Sequence, residues 1–216
     1  MRLLRCLALL LVFGSPAAFA ASEPALFGTR EVFSQDSSAF FKWHGVLHRF
    51  AAEEQRAAAC APGAAACAPA QWRALVQSLK GLSLRAKIDA ANAAINAHPY
   101  VPSYVNWRES NHWETPFEFL RKGGQCQDYA VTKYLLLRAA GVPAADLRVV
   151  VVHDERLGLD HAVTVAYVDG EALLLDNLRS AVMPAASVHD YQPYYSINEQ
   201  GWWLHRGPNA RYAALR

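Results

Sequence analysis

Cysteine and methionine are scarce, four and two residues in a chain of 216. There is no CxxC pair, no HExxH and no Asp-rich calcium loop, so the usual zinc-ribbon, zincin and EF-hand readings fall away. No internal repeat is visible, which removes solenoids and propellers. The one uninterrupted apolar stretch near the start, Leu7 to Phe13, is too short to span a bilayer. Neither sign of charge dominates, with 21 basic residues against 19 acidic ones. That balance argues against a nucleic-acid footprint. Apolar matter is plentiful: a hydrophobic fraction of 53% and an aromatic fraction of 11% suffice for a packed core and do not fit disorder.

Residues 1–20 read as a secretory signal. Arg2 and Arg5 precede the apolar run, and Ala18-Phe19-Ala20 is a small-x-small cleavage site. Cys6 precedes the apolar run and so is not placed for lipidation. The expectation is an exported, periplasmic protein cleaved after Ala20 and left without a membrane anchor. Both arginines leave with the signal, which makes the mature chain formally neutral. Cys60, Cys67 and Cys126 remain. An odd number in an oxidising compartment leaves one thiol free or paired between chains. Cys60 and Cys67 flank the turn-prone CAPGAAAC and can bridge locally, which makes Cys126 the thiol left over. A bridge over so small a loop is worth roughly 2–3 kcal/mol on the chain-entropy model.

The segment around that thiol reads GGQCQDYAVTKYLLLR. Val131, Tyr134, Leu135 and Arg138 recur at helical spacing, and Gly141 and Pro143 are stop signals. Cys126 therefore falls in the first turn of a helix. The unpartnered N–H groups and the positive dipole end there favour a thiolate. The alternative is a small buried core residue, a common fate of free cysteine.

Ahead of this helix, Leu26 to Arg30 reads as an irregular or short extended lead-in. Phe40 to Arg56, about Gln71 to Leu79, and a third segment capped by Ser83 and stopped by Pro99 read as helices. Residues 100–120 are aromatic and turn-rich. Trp107, Trp113, Phe117 and Phe119 either line a cleft or form a satellite core. Downstream the pattern changes to strands. Leu147 to His153 is a β-branched run, and His161–Val168 and Glu171–Asn177 are joined by Asp169-Gly170, a strong hairpin signal. A two-residue turn sets Val168 opposite Glu171 and hence Val163 opposite Asp176. His161 then becomes a diagonal neighbour of Asp176, at about 7–8 Å between backbones and within side-chain reach. Such a polar pair on an apolar face needs partners. His161 alone could be a satisfied core or surface histidine, and Asp176 a strand-end turn residue. His153, Asp154, Asp160 and His161 could also form a chance chelating cluster. YQPYYSINEQGWWLHRG reads as two aromatic strands around a turn at Asn198 to Gly201, with His189 and His205 at the surface.

Taken together, FGTREVFSQDSSAFFKWHGVL, HWETPFEFLRKGGQCQDYAVTKYLLLRAAG, DHAVTVAYVDGEALLLDN and YYSINEQGWWLH resemble the bacterial transglutaminase-like cysteine peptidases of the LapG type. These are periplasmic proteases that release large biofilm adhesins. The resemblance implies an α+β fold with a papain-like, transglutaminase-like core: N-terminal helices over about 36–98, and a catalytic part over about 100–216 with a cysteine-bearing helix on an antiparallel sheet. Residues 21–216 would form a single domain. It implies Cys126 as nucleophile, His161 as general base and then acid, and Asp176 as orienting carboxylate. The Cys126 N–H would form part of an oxyanion hole, with Trp113 or Gln125 as its second donor. The implied partners are a protein substrate, a large surface adhesin cut near small residues, and an inner-membrane cyclic-di-GMP receptor.

One departure from the family is visible. Calcium-dependent members carry an aspartate before and a glutamate after the cysteine, where this chain has Gln125 and Gln127; Asp128 alone keeps its charge. Hard cations prefer carboxylate oxygens, so calcium binding here should be greatly weakened or abolished. The expectation is no cofactor, or altered regulation. Two other readings share the fold: acyl transfer to an amine, and an exported binding protein that has lost turnover.

Overall fold

The computed structural model describes residues 24–57 and 67–211. The expected signal peptide, the cleavage site and Cys60 lie outside the described residues, and the proposed Cys60–Cys67 bridge with them. Among the described residues Cys126 is the free cysteine.

A 3-10 turn at Leu26–Gly28 leads into strand β1, Arg30–Ser34. Helices α1 (Phe41–Arg56), α2 (Ala68–Leu79) and α3 (Leu84–Asn96) follow. Ser83 caps α3 by accepting the Ala86 N–H, as the sequence suggests. Two short helices, α4 (Ser103–Trp107) and α5 (Pro116–Lys122), come before α6, Cys126–Ala139. The remaining chain supplies β2 (Leu147–Asp154), β3 (Leu159–Val168), β4 (Glu171–Leu175), β5 (Met183–Pro184), β6 (Tyr191–Asn198) and β7 (Gly201–Arg206). All seven strands form one antiparallel sheet in the order β1-β7-β6-β2-β3-β4-β5. The architecture is α+β.

Strand alternation sends side chains to two separate cores. Val149, Ala162, Ala166, Leu173, Leu175 and Ile197 face the helices, and the same cluster takes in Trp43, Trp72, Ile88 and Phe119. Val150, Val152, Val163, Val165, Tyr167 and Leu174 fill the other face under the 3-10 turn and the segment around Val188. Helix α6 lies in the middle. Residues 127–137 of α6 are buried all round, so its polar members Gln127, Asp128, Thr132 and Lys133 are buried as well. A single apolar stripe was the sequence expectation. The helix instead packs against β2 and β3 on one side and against α2, α3 and α5 on the others.

His205 departs from the sequence expectation. The sequence places it at the surface, but it is fully buried, with Nδ1 2.8 Å from Thr29 Oγ1 and Nε2 3.1 Å from Ser196 Oγ. Two hydroxyl partners meet both ring nitrogens, which makes burial of a neutral imidazole tolerable. His189 is exposed, as expected.

Candidate active site

The turn into α6 is built by glycine. Gly123 has φ of 70°, and a Cβ on it would lie 2.2 Å from the Pro99 carbonyl oxygen; one on Gly124 would lie 2.7 Å from Asp128. Only a chain without side chains at both positions can pass there. It brings Gly124 alongside Tyr100, where the Val101 N–H donates to the Gly124 carbonyl at 2.9 Å. Asp128 then closes the first turn. Its Oδ2 accepts the Gln125 N–H at 2.9 Å and its Oδ1 accepts the Glu114 N–H at 2.8 Å. Burial and the neighbouring Glu114 carboxylate push Asp128 up to about 8 against the pull of these two donors. Segment 112–114 is thus tied to the helix start, and half-buried Trp113 lies within it. Phe117 and Phe119 belong to the main core and Trp113 packs against it, while the Trp107 indole donates to Glu114 and its ring stacks on His112.

Cys126 is the first residue of α6 and is partly exposed. His161 and Asp176 come from the β3–β4 hairpin, whose register is the expected one: Val168 opposite Glu171 and Thr164 opposite Leu175. Asp176 follows directly on the last residue of β4, and its Oδ1 lies 2.9 Å from His161 Nε2. Burial opposes a charge on this ring. The hydrogen bonds to Asp176 and to the Cys126 sulfur, with the charges behind them, outweigh it and lift His161 to about 9. With Nε2 engaged by the acid, Nδ1 is the nitrogen left for the sulfur. Asp176 is pulled down to about 2: its own burial works the other way, but the His161 hydrogen bond and charge prevail. The three residues singled out in the sequence are brought together.

Several further groups hold Asp176, and sequence reasoning missed them. The Tyr191 hydroxyl donates to Oδ2 at 2.6 Å, and its ring meets His161 edge-on at 5.8 Å. The Leu178 N–H donates to Oδ1 at 2.9 Å, Arg179 Nε lies 3.4 Å from Oδ2, and Asn96 of α3 donates to the Asp176 carbonyl at 2.8 Å. The available signal lies on the neighbouring Asn92, which interrupts Ile88, Ala91 and Ile95 on the buried stripe of α3 and donates to the Ser180 carbonyl of the same loop. A polar group on such a stripe demands a partner.

The other sequence candidates are placed as follows. His153 Nδ1 pairs with Asp160 at 2.9 Å and Asp154 accepts the Leu157 N–H, so the four-residue cluster divides between separate partners. Among the described residues no group of three His, Cys, Asp or Glu side chains could hold a metal. The Trp113 indole N–H is spent on Asn111 Oδ1 at 3.1 Å. Gln125 Oε1 accepts the Ser103 N–H at 3.2 Å, which leaves that amide's NH2 side as a donor. Gln127 donates to the His112 carbonyl at 3.1 Å, and its Oε1 is 3.6 Å from Cys126 Sγ. These amides are already engaged with the chain, and neither offers the carboxylate a hard divalent ion prefers.

A thiol at a helix start, an imidazole against it and a carboxylate behind the imidazole form the constellation of papain-type and transglutaminase-type enzymes. The comparisons with known proteins narrow this class. Residues 55–208 match the family model described as bacterial transglutaminase-like cysteine proteinase, and the chain belongs to that family of cysteine peptidases. It is similar to solved structures of Legionella pneumophila LapG. One is 29% identical with a TM-score of 0.60, covering 73% of this chain and 85% of that one. A calcium-bound form is 27% identical with a TM-score of 0.59, covering 78% and 94%. No curated protein matches.

Proposed function

We propose that this cysteine peptidase is an exported, periplasmic endopeptidase that uses Cys126, His161 and Asp176, with residues 21–216 as one domain behind a cleaved signal peptide. The observation that carries the reading is the buried His161 ring bonded at 2.9 Å to the buried Asp176 carboxylate, with the partly exposed Cys126 at the start of α6 near enough for its charge to act on the ring. The Cys126 thiolate attacks the scissile carbonyl carbon. Electrons move onto the carbonyl oxygen, which first-turn N–H groups of α6, with the Cys126 N–H among them, can receive. Imidazolium His161 protonates the leaving amine, and the thioacyl enzyme forms. Neutral His161 next takes a proton from water, whose oxygen attacks the thioester; the sulfur departs as thiolate beside the imidazolium, which restores the starting ion pair. Asp176 fixes the ring throughout. Exposed Tyr100, Leu159 and Leu178 lie beside Gly124, His161 and Asp176 in sequence or pairing and offer apolar surface to a peptide. The proposed substrate is a large surface adhesin cut near small residues, with an inner-membrane cyclic-di-GMP receptor as sequestering partner. The deciding experiment sets wild type and Cys126→Ala against N-terminal fragments of large surface adhesins from the same organism. Only the wild type should cut them; cleavage by the variant at the wild-type rate removes the nucleophile.

The same reading makes the enzyme independent of calcium. A glutamate at position 127 would set a negative charge beside the sulfur and oppose the thiolate unless a cation neutralised it. The Gln127 amide carries no such charge and ties the helix to the His112 carbonyl directly. A chelator should leave the wild type active, whereas Gln127→Glu should become slower in chelator and recover with calcium. Loss of wild-type activity in chelator, restored by calcium, refutes calcium independence.

A further inference from the structure

Lys133 lies two turns along α6 from the cysteine and is 1% exposed. A lysine so deeply buried is uncommon unless paired. Its Nζ has no hydrogen-bond partner; it lies 6.0 Å from the centroid of the Tyr129 ring and feels the charge of Asp176. Side chains of a helix lean toward its N-terminus, which here aims Lys133 back toward the catalytic end. Acceptors without donors are found in the same layer. Asn92 and Asn96, on α3 packed against α6, spend their NH2 groups on the Ser180, Asp176 and Arg179 carbonyls, which leaves both Oδ1 atoms buried and unpartnered. Asn177 Oδ1, beside the catalytic acid in sequence, is buried and unpartnered too. Helix α6 thus carries a buried cation with three unused donors, while α3, packed against it, and the loop after Asp176 carry three buried amide oxygens with nothing to accept. Each such group is destabilising if left alone, most of all the charged one.

We propose that Lys133 is a positioning residue for the triad: its ammonium, linked through ordered water to the unpartnered amide oxygens of α3 and the 176–180 loop, fixes that loop and so the Asp176 carboxylate behind His161. The inference rests on the proposed role of the triad. The lysine touches neither sulfur nor substrate and acts through the loop. The groups that act on it are the Asp176 charge and the Tyr129 ring of its own helix; His161 of β3, Tyr191 of β6 and Arg179 of the loop surround Asp176 in turn, and the Tyr129 hydroxyl donates to the His98 carbonyl. Burial pulls the lysine down to about 7, and the Asp176 charge holds it up, so the ammonium persists into the neutral range.

The test is the pH profile of Cys126 alkylation by iodoacetamide in full-length protein, for wild type, His161→Ala, Lys133→Met, Lys133→Arg and Asn177→Ala, with folding followed by circular dichroism. A reactive wild-type thiol slowed by His161→Ala supports the triad itself; an inert wild-type thiol overturns that reading and this inference together. Folded Lys133→Met should have its apparent thiol pKa raised toward that of a free cysteine, about one unit or more, with alkylation about tenfold slower below it. Lys133→Arg should recover part of the rate, because the cation is kept. Should Lys133→Met fail to fold, Asn177→Ala, which removes one acceptor alone, should move the profile the same way by a smaller amount. A wild-type profile in folded Lys133→Met, or in Asn177→Ala where the former does not fold, overturns the inference and leaves the triad intact.

Discussion

Two histidines of one sheet, both almost wholly buried, lie at opposite extremes of charge. His161 is lifted to about 9, whereas His205 is pressed down to about 4. Burial pushes both the same way, toward the neutral ring. What separates them is the company each keeps. His161 has a carboxylate at 2.9 Å and a sulfur on its other side; His205 has hydroxyls on both nitrogens, with the Arg148 charge nearby and Glu31 only at 3.9 Å. A direct hydrogen bond to an acid outweighs desolvation, and a distant acid does not. The β3 histidine therefore holds a charge, and the β7 histidine is a neutral spacer.

The contrast predicts its own failures. Asp176→Asn removes the acid while keeping the shape. It should lower kcat/KM by about 10^3-fold or more in peptide cleavage, because the amide no longer fixes or charges the ring; an unchanged rate would mean that the acid is idle. pH should affect the two histidines with opposite signs. The folded-state value of His161 lies above the unfolded 6.5, so its contribution to stability is full below 6.5 and lost as pH rises through about 9. Cleavage, which needs the imidazolium to protonate the leaving amine, should fall over that alkaline limb, whereas alkylation of Cys126 by iodoacetamide, which needs only the thiolate, should not. For His205 the folded-state value lies below 6.5, so stability is full above 6.5 and is lost as pH falls toward about 4. Thermal melts of His205→Gln should lose this acid-side slope. Ser196→Asp would give His205 the kind of partner His161 has, and NMR titration should find its pKa raised by about 1–3 units. The smallest effect is that of Thr29→Ala, which leaves a buried ring nitrogen unmet and should cost about 1–3 kcal/mol in denaturant melts with cleavage unchanged.

The half of the site that is local in sequence is also the half that could be read from it. His161 and Asp176 are 15 residues apart across an Asp-Gly turn, so strand alternation alone puts them within reach. The Cys126 helix announced itself through its two glycines, its periodicity and the count of cysteines. What stayed hidden depends on long-range closure. Asn96 reaches Asp176 across 80 residues, and Tyr191 reaches it from a strand whose aromatic run read only as packing. His205 looked like a surface residue because its partner Thr29 is 176 residues away. The all-round burial of α6 was equally illegible, since Thr132 and Lys133 look like a solvated face until three helices and a sheet enclose them.

The pairing of β1 with β7, Arg30 opposite Arg206, has a consequence for how the chain matures. A growing polypeptide makes β1 first among its strands and must wait for the last one before that strand has a neighbour. Until then Val32 and Phe33, half exposed even in the finished sheet, sit on an unpaired edge open to other chains. Fragments ending short of residue 200 should therefore carry an orphan strand and stick to one another, even where the hairpin bearing His161 has already formed.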